Sequence, residues 1–193
     1  ENNCPPTPSP GSVNQRKLLF SIGIGDSGED GSTKFCRNIS SVIDPTTHKP
    51  KRTWTNCSGA VLSMDVSAYS HDLRRAIARI HTLQGNATAA AEWSTRAAQV
   101  AAAAKASLWR PERSAMHDRY ADDDSWLPTL THNNLRMMWL GLFDQQMADA
   151  FVRDNLMNRS RFWTPMPLPS IAASDPHFDN QGSNNWSGDP EGL

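Results

Sequence analysis

Apolar residues return every three or four positions between about Ala60 and Gln84. Val66, Tyr69, Leu73, Ile77, Ile80 and Leu83 make one stripe, and this period predicts an amphipathic helix. Gly85 is a natural stop for it. From about Ala87 to Trp109 the period resumes through Trp93, Ala97, Val100, Ala104 and Leu108, with Pro111 closing a second helix. Because only Gly85 and Asn86 intervene, the two helices are expected to fold back as an antiparallel hairpin, and the many alanines of the second suit a closely apposed partner. Beyond an acidic loop at Asp122, Asp123 and Asp124, helices are predicted over Asn133 to Phe143 and, capped by Asp144, over Gln145 to Met157, giving a second hairpin. No segment alternates over the length of a strand. The fold class is therefore all-α.

The remaining segments are punctuated by proline and glycine. Pro5, Pro6, Pro8 and Pro10 exclude a helix at the start, so residues 1–16 are read as an extended arm or linker and residues 17–193 as the domain. An apolar run from Lys17 to Ile24 leads into an irregular loop, Gly23 to Ser32. Residues 38–58, with Asp44-Pro45 and His48-Lys49-Pro50, have the composition of a surface excursion. From Arg161 onward Pro165, Pro167, Pro169 and Pro176 forbid regular helix, yet Phe162, Trp163, Met166, Leu168, Ile171, Phe178 and Trp186 lie in the same stretch. Long ordered loops inside a compact domain are usually functional.

Charge and composition narrow the partners. Lys plus Arg (19) balances Asp plus Glu (20), and no basic stripe offers a surface to nucleic acid. The most apolar stretches, Ala97 to Ala106 and Met137 to Phe143, fall short of the roughly 20 residues that span a bilayer. The chain opens at Glu1 without a charged-then-apolar leader, which leaves two readings: a signal peptide already removed, or a start partway along a larger polypeptide. Asn-x-Ser/Thr sequons at Asn38, Asn56, Asn86, Asn158 and Asn185 point to the secretory pathway and a secreted glycoprotein. In that oxidising setting Cys36 and Cys57 are the expected disulfide, leaving Cys4 free or bonded elsewhere. The histidines, His48, His71, His81, His117, His132 and His177, show no metal-ligand spacing, and Asp122 to Asp124 lack the rest of a calcium loop, so no metal and no cofactor is expected. A Gly-x-Ser-x-Gly elbow is also missing.

Three patterns resemble one family. Asp26-Ser27-Gly28-Glu29-Asp30-Gly31-Ser32 is similar to the acidic-Ser-Gly-x-Asp-x-Ser loop of the trehalase and processing α-glucosidase clan of inverting glycoside hydrolases. The hairpin from Met64 to Trp109, opening with Asp65-Val66-Ser67-Ala68-Tyr69, resembles a helix pair of the clan's barrel. Phe162-Trp163-Thr164-Pro165-Met166-Pro167-Leu168-Pro169-Ser170, followed by Asn184-Asn185-Trp186-Ser187-Gly188, resembles its substrate-facing loop and Asn-Trp-x-Gly element. The nearest likeness is to mannosylglycerate hydrolase-like members of family sixty-three, over residues 17–193. It implies an (α/α)6 barrel, an α-glycoside of an oligo- or polysaccharide as substrate, and Asp30 as general acid.

The chemistry fits those residue types. Inverting hydrolysis takes one carboxylic acid to protonate the leaving oxygen and a second carboxylate, about 6.5 to 9.5 Å away, to activate water. Negative charge at Asp26 and Glu29 would help Asp30 hold its proton. Trp163 and Trp186 offer flat apolar faces to a sugar ring, with Asn184 and Asn185 to satisfy hydroxyls, so Asn185 is expected to stay unmodified although it lies in a sequon. A barrel of six hairpins takes about 400 residues, and the clan's general base, a Glu, follows the Asn-Trp element by more than this sequence supplies. Two classes stay open: a segment of a hydrolase completed by further parts of the same polypeptide or another chain, or a structural or glycan-binding glycoprotein that keeps the fold without catalysis.

Overall fold

The structure is a computed structural model, and it describes residues 20–21, 36–43, 45, 46, 48, 50–55 and 61–178. Its centre is the expected hairpin of α1 (Met64–Leu83) and α2 (Ala87–Leu108). Ser63 opens α1 by accepting from Val66 N, and Asn86 opens α2 by accepting from Ala89 N at 3.1 Å. Gly85, at φ +73, reverses the chain between them. The His71 ring reaches the carbonyl of Ala97 at 3.0 Å across the interface.

The buried face of α2 is the predicted one, with Ala97, Val100, Ala104 and Leu108 all inside. The buried face of α1 is not. Tyr69, Leu73, Ile80 and Leu83 point outward, Leu83 at 79% exposure, while Ser67, Ala68, Ser70, His71 and Ala78 are buried. The reason is steric. An alanine face on α2 draws the backbones together, and only small side chains on α1 fit the gap, so close packing outweighs side-chain hydrophobicity.

Short strands frame the hairpin, which corrects the expectation of no strand. β1 (Phe20–Ser21), β4 (Val61–Leu62) and β7 (Arg119–Tyr120) form an antiparallel sheet in the order β1-β4-β7. β2 (Asn38–Ile43) and β3 (Pro50–Thr55) pair from Asn38↔Thr55 to Ile43↔Pro50, so the surface excursion is a β-hairpin. Backbone pairing carries it without a clean apolar alternation, and Ile43 is exposed. β5 (Trp109–Arg110) pairs with β6 (Ala115–Met116) across a left-handed turn at Ser114.

α3 (Asn133–Trp139) ends before the expected Phe143, because Gly141 at φ +82 turns the chain. α4 (Gln145–Phe151) starts under the predicted Asp144 cap, which accepts from Met147 N at 3.0 Å, and continues as a π-helical turn over Val152–Leu156. α3 leans on α1 instead of lying along α4 as a second hairpin. The core runs from Trp109 to Phe143, Phe151 and Phe162 in edge and tilted contacts with centroids 5.4, 5.9 and 6.3 Å apart. Among the described residues no helix is long and apolar enough to cross a membrane.

His117 is buried, with Nδ1 donating to the Leu127 carbonyl at 3.1 Å. Burial pushes its pKa from 6.5 down to about 4, against the opposing pull of that carbonyl. The unfolded chain takes up this proton near pH 6.5 and the folded protein only near pH 4, so the folded state loses stability as pH falls through that window. The loss should reach about 3 kcal/mol. His117→Asn keeps a donor for Leu127 without titrating. Denaturant unfolding at a series of pH values should therefore show a shallower decline for the variant than for the parent over the same range.

Candidate active site

Asp30, Asn184, Asn185 and Trp186 lie outside the described residues, as do Asn56 and Cys57. Described residues near two of these stretches meet. Cys36, just past the loop of Asp30, offers its carbonyl to His177 Nε2 at 3.2 Å, and His177 lies just ahead of the Asn-Trp element. Asp175 sets that ring from below: its Oδ1 accepts from His177 N at 2.9 Å and faces Nδ1 at 3.1 Å, while its Oδ2 accepts from Leu130 N at 2.9 Å. Stretches 141 residues apart in sequence are thereby joined by one buried side chain.

Next to Cys36, the Arg37 guanidinium lies 3.6 Å above the Tyr120 ring and donates to Asp122 Oδ1 at 2.5 Å and Asp123 Oδ2 at 2.8 Å. Arg119 pairs with Asp124 at 2.7 Å. Asp122 and Asp123 stay exposed, and their ion pairs make the acidic loop a wall at the end of β7. The bond from Arg37, aided by Ser125, holds the Asp123 carboxyl well below the usual carboxylate range. Desolvation pushes the Tyr120 hydroxyl up.

Beneath this wall, the N-terminus of α1 is fixed by two fully buried acids. Asp118 Oδ1 accepts from Met64 N at 2.8 Å, and Asp65 accepts from Ser63 Oγ and faces Arg136 at 3.4 Å. Both are spent on structure. Among the described residues no cluster of three or more His, Cys, Asp or Glu is placed to hold a metal.

Trp163 sits half exposed on its loop, anchored through its backbone N to the Asn158 carbonyl at 3.0 Å, and no described contact joins it to His177 or Arg37. Asn38 and Asn86 are exposed. Asn86 caps α2 through Oδ1, whereas Asn158 turns Nδ2 toward the Asp154 carbonyl at 3.4 Å. Cys36 is buried. Arg37, Tyr120, Asp175 and His177 were missed in the sequence, where Arg37 and Tyr120 belong to no spaced motif. The Asp-x-His spacing of the last two was the one available signal.

No curated protein matches the sequence. The model of the mannosylglycerate hydrolase MGH1-like glycoside hydrolase domain matches residues 24–189. The chain belongs to this family. Among solved structures, the GH63 mannosylglycerate hydrolase from Thermus thermophilus in complex with Tris is 14% identical with a TM-score of 0.67, covering 92% of this chain and 50% of that one. Neutral trehalase Nth1 from Saccharomyces cerevisiae is 14% identical with a TM-score of 0.58, over 68% of this chain and 25% of that one. A sialidase is 16% identical with a TM-score of 0.66, over 89% of this chain and 14% of its own length. At these identities the likeness is one of fold. The glycoside hydrolase domain is part of a six-hairpin helical fold, and the chain spans half the length of the GH63 enzyme or less of the others.

Replacing Arg37 by Gln should release the acidic wall. The Asp123 carboxyl should return toward the ordinary carboxylate range, so its midpoint should rise in a carbon-detected NMR titration, with little change in global stability because the wall is largely exposed.

Proposed function

We propose that the protein containing this chain hydrolyses an α-glycoside of an oligo- or polysaccharide with inversion, with Asp30 as general acid. The observation that carries this reading is the contact of His177 with Cys36, which brings the stretch after Asp30 against the stretch before Asn184, within a glycoside hydrolase domain. Asp30 protonates the leaving oxygen, Trp163 and Trp186 hold the sugar by its apolar face, and Asn184 and Asn185 satisfy its hydroxyls. The general base is a carboxylate elsewhere in the polypeptide or in another chain. The exposed stripe of Tyr69, Leu73, Ile80 and Leu83 on α1 supports a barrel completed by further helices, since isolated domains rarely leave such a face open.

We infer further a secreted glycoprotein whose residues 1–16 form an arm preceding the domain. Glycans at Asn38 and Asn86 suit the exposed positions of those residues. A Cys36–Cys57 disulfide suits the buried position of Cys36, which is not a free thiol. Peptide mass spectrometry on the native protein should find both sequons occupied and this bond intact. Bare asparagines and reduced thiols throughout would place the protein in a reducing compartment and end this part of the reading.

Turnover of an α-glycoside panel tests the catalysis. The complete polypeptide should be active, this chain alone nearly inactive, and Asp30→Asn should lower the rate of the complete protein by about 10² to 10⁴. Full activity in the variant would remove Asp30 from the mechanism. An inactive complete protein would favour a structural or glycan-binding role.

A further inference from the structure

We propose that His177 is a positioning residue for the general acid: its Nε2–H, set by Asp175, fixes the Cys36 carbonyl and through it the segment that carries Asp30. Asp30 precedes Cys36 by six residues, a span that reaches about 20 Å when extended, while proton transfer needs the carboxyl within about 3 Å of the leaving oxygen. Where that carboxyl lies therefore depends on where Cys36 is anchored. A carbonyl only accepts, so at 3.2 Å Nε2 must carry the hydrogen. Ring and cysteine are both buried, so no water competes for the bond.

The ring stands on a firm mount. Asp175 Oδ1 faces Nδ1 at 3.1 Å and accepts from His177 N at 2.9 Å, which fixes the ring against its own main chain. Asp175 is tied to the core through Leu130 N at 2.9 Å, and the turn is closed by Asp175 N on the Ala172 carbonyl and Phe178 N on the Asp175 carbonyl, at 2.8 and 2.9 Å. Bonds are needed here, because the turn borders a cavity of about 240 Å³ shared with His117 and packing around it is incomplete. Arg37, the residue after Cys36, is also gripped, but by the exposed carboxylates of Asp122 and Asp123, and exposed ion pairs hold a position weakly. The buried bond from His177 is the one that sets the segment.

Because this role rests on Asp30 as general acid, both are tested side by side in the complete polypeptide. The substrates are an α-glycoside that it turns over and the α-glycosyl fluoride of the same sugar, whose fluoride leaves without a proton. An Asn side chain puts its amide where Nδ1 stands and cannot reach Cys36, whereas Gln puts its amide where Nε2 stands. His177→Asn should lower kcat on the glycoside about 10- to 100-fold with little change in KM, the loss that a displacement of about 1 Å brings, and should spare the fluoride to within about threefold. His177→Gln should recover most of the rate. A His177→Asn protein as fast as the parent, or slowed equally on both substrates, or changed in KM alone, would overturn the positioning role, as would a His177→Gln protein as slow as the Asn variant. If the Asn variant does not fold, the Gln variant decides by itself, near-parental turnover supporting the role and slow turnover of the glycoside overturning it. Full activity in Asp30→Asn would remove the acid and the role of His177 with it, whereas a slow Asp30→Asn beside an unaffected His177→Asn would overturn the positioning role alone.

Discussion

The side-chain amide of Asn134 does the work of a missing strand. Its Oδ1 accepts from Met116 N at 2.7 Å and its Nδ2 donates to the carbonyls of Met116 and Thr131 at 3.0 and 3.2 Å. Fully buried, it satisfies both backbone groups of Met116 on the edge that β5 does not cover. A side chain of similar size without those groups would leave buried backbone atoms unpaired, a cost of about 1–3 kcal/mol each. Much else hangs on this point. The residues that follow Met116 deliver His117 to its cavity, Asp118 to the first turn of α1, and Tyr120 to the underside of Arg37.

The α1–α2 hairpin separates two kinds of surface. Its inner seam is built from small side chains and one histidine, so it is narrow and depends on backbone proximity. Its outer face on α1 carries the large apolar residues. A hairpin with apolar groups on both sides is a layer within something larger, in keeping with a chain that spans only part of its structural relatives.

The polar network around Arg37 and His177 performs a different task. Arg37 holds Asp122 and Asp123 while it covers Tyr120, and His177 holds Cys36 and Asp175. Arg37 reaches Asp122 and Asp123, and His177 reaches Cys36, partners distant in sequence, and directional bonds of this kind define position more sharply than apolar contact does. They border the stretches that carry the proposed acid and sugar contacts.

Periodicity and local caps belong to the sequence alone. The extents of α1 and α2, the stop at Gly85, the cap at Asp144 and the buried face of α2 follow from spacing within a few turns of helix, where neighbours in sequence are neighbours in space. The motif around Asp30 and the Asn-Trp element likewise carried the family, which the match over residues 24–189 shows. The tertiary structure decided what depends on distant partners. Which face of α1 is buried turned on the alanines of α2. The pairing of β2 with β3 turned on backbone hydrogen bonds that no apolar alternation announces. The gathering of Arg37, Tyr120, Asp175, His117 and His177 turned on contacts between segments dozens of residues apart, and a single polar side chain has no period by which its partner is foretold.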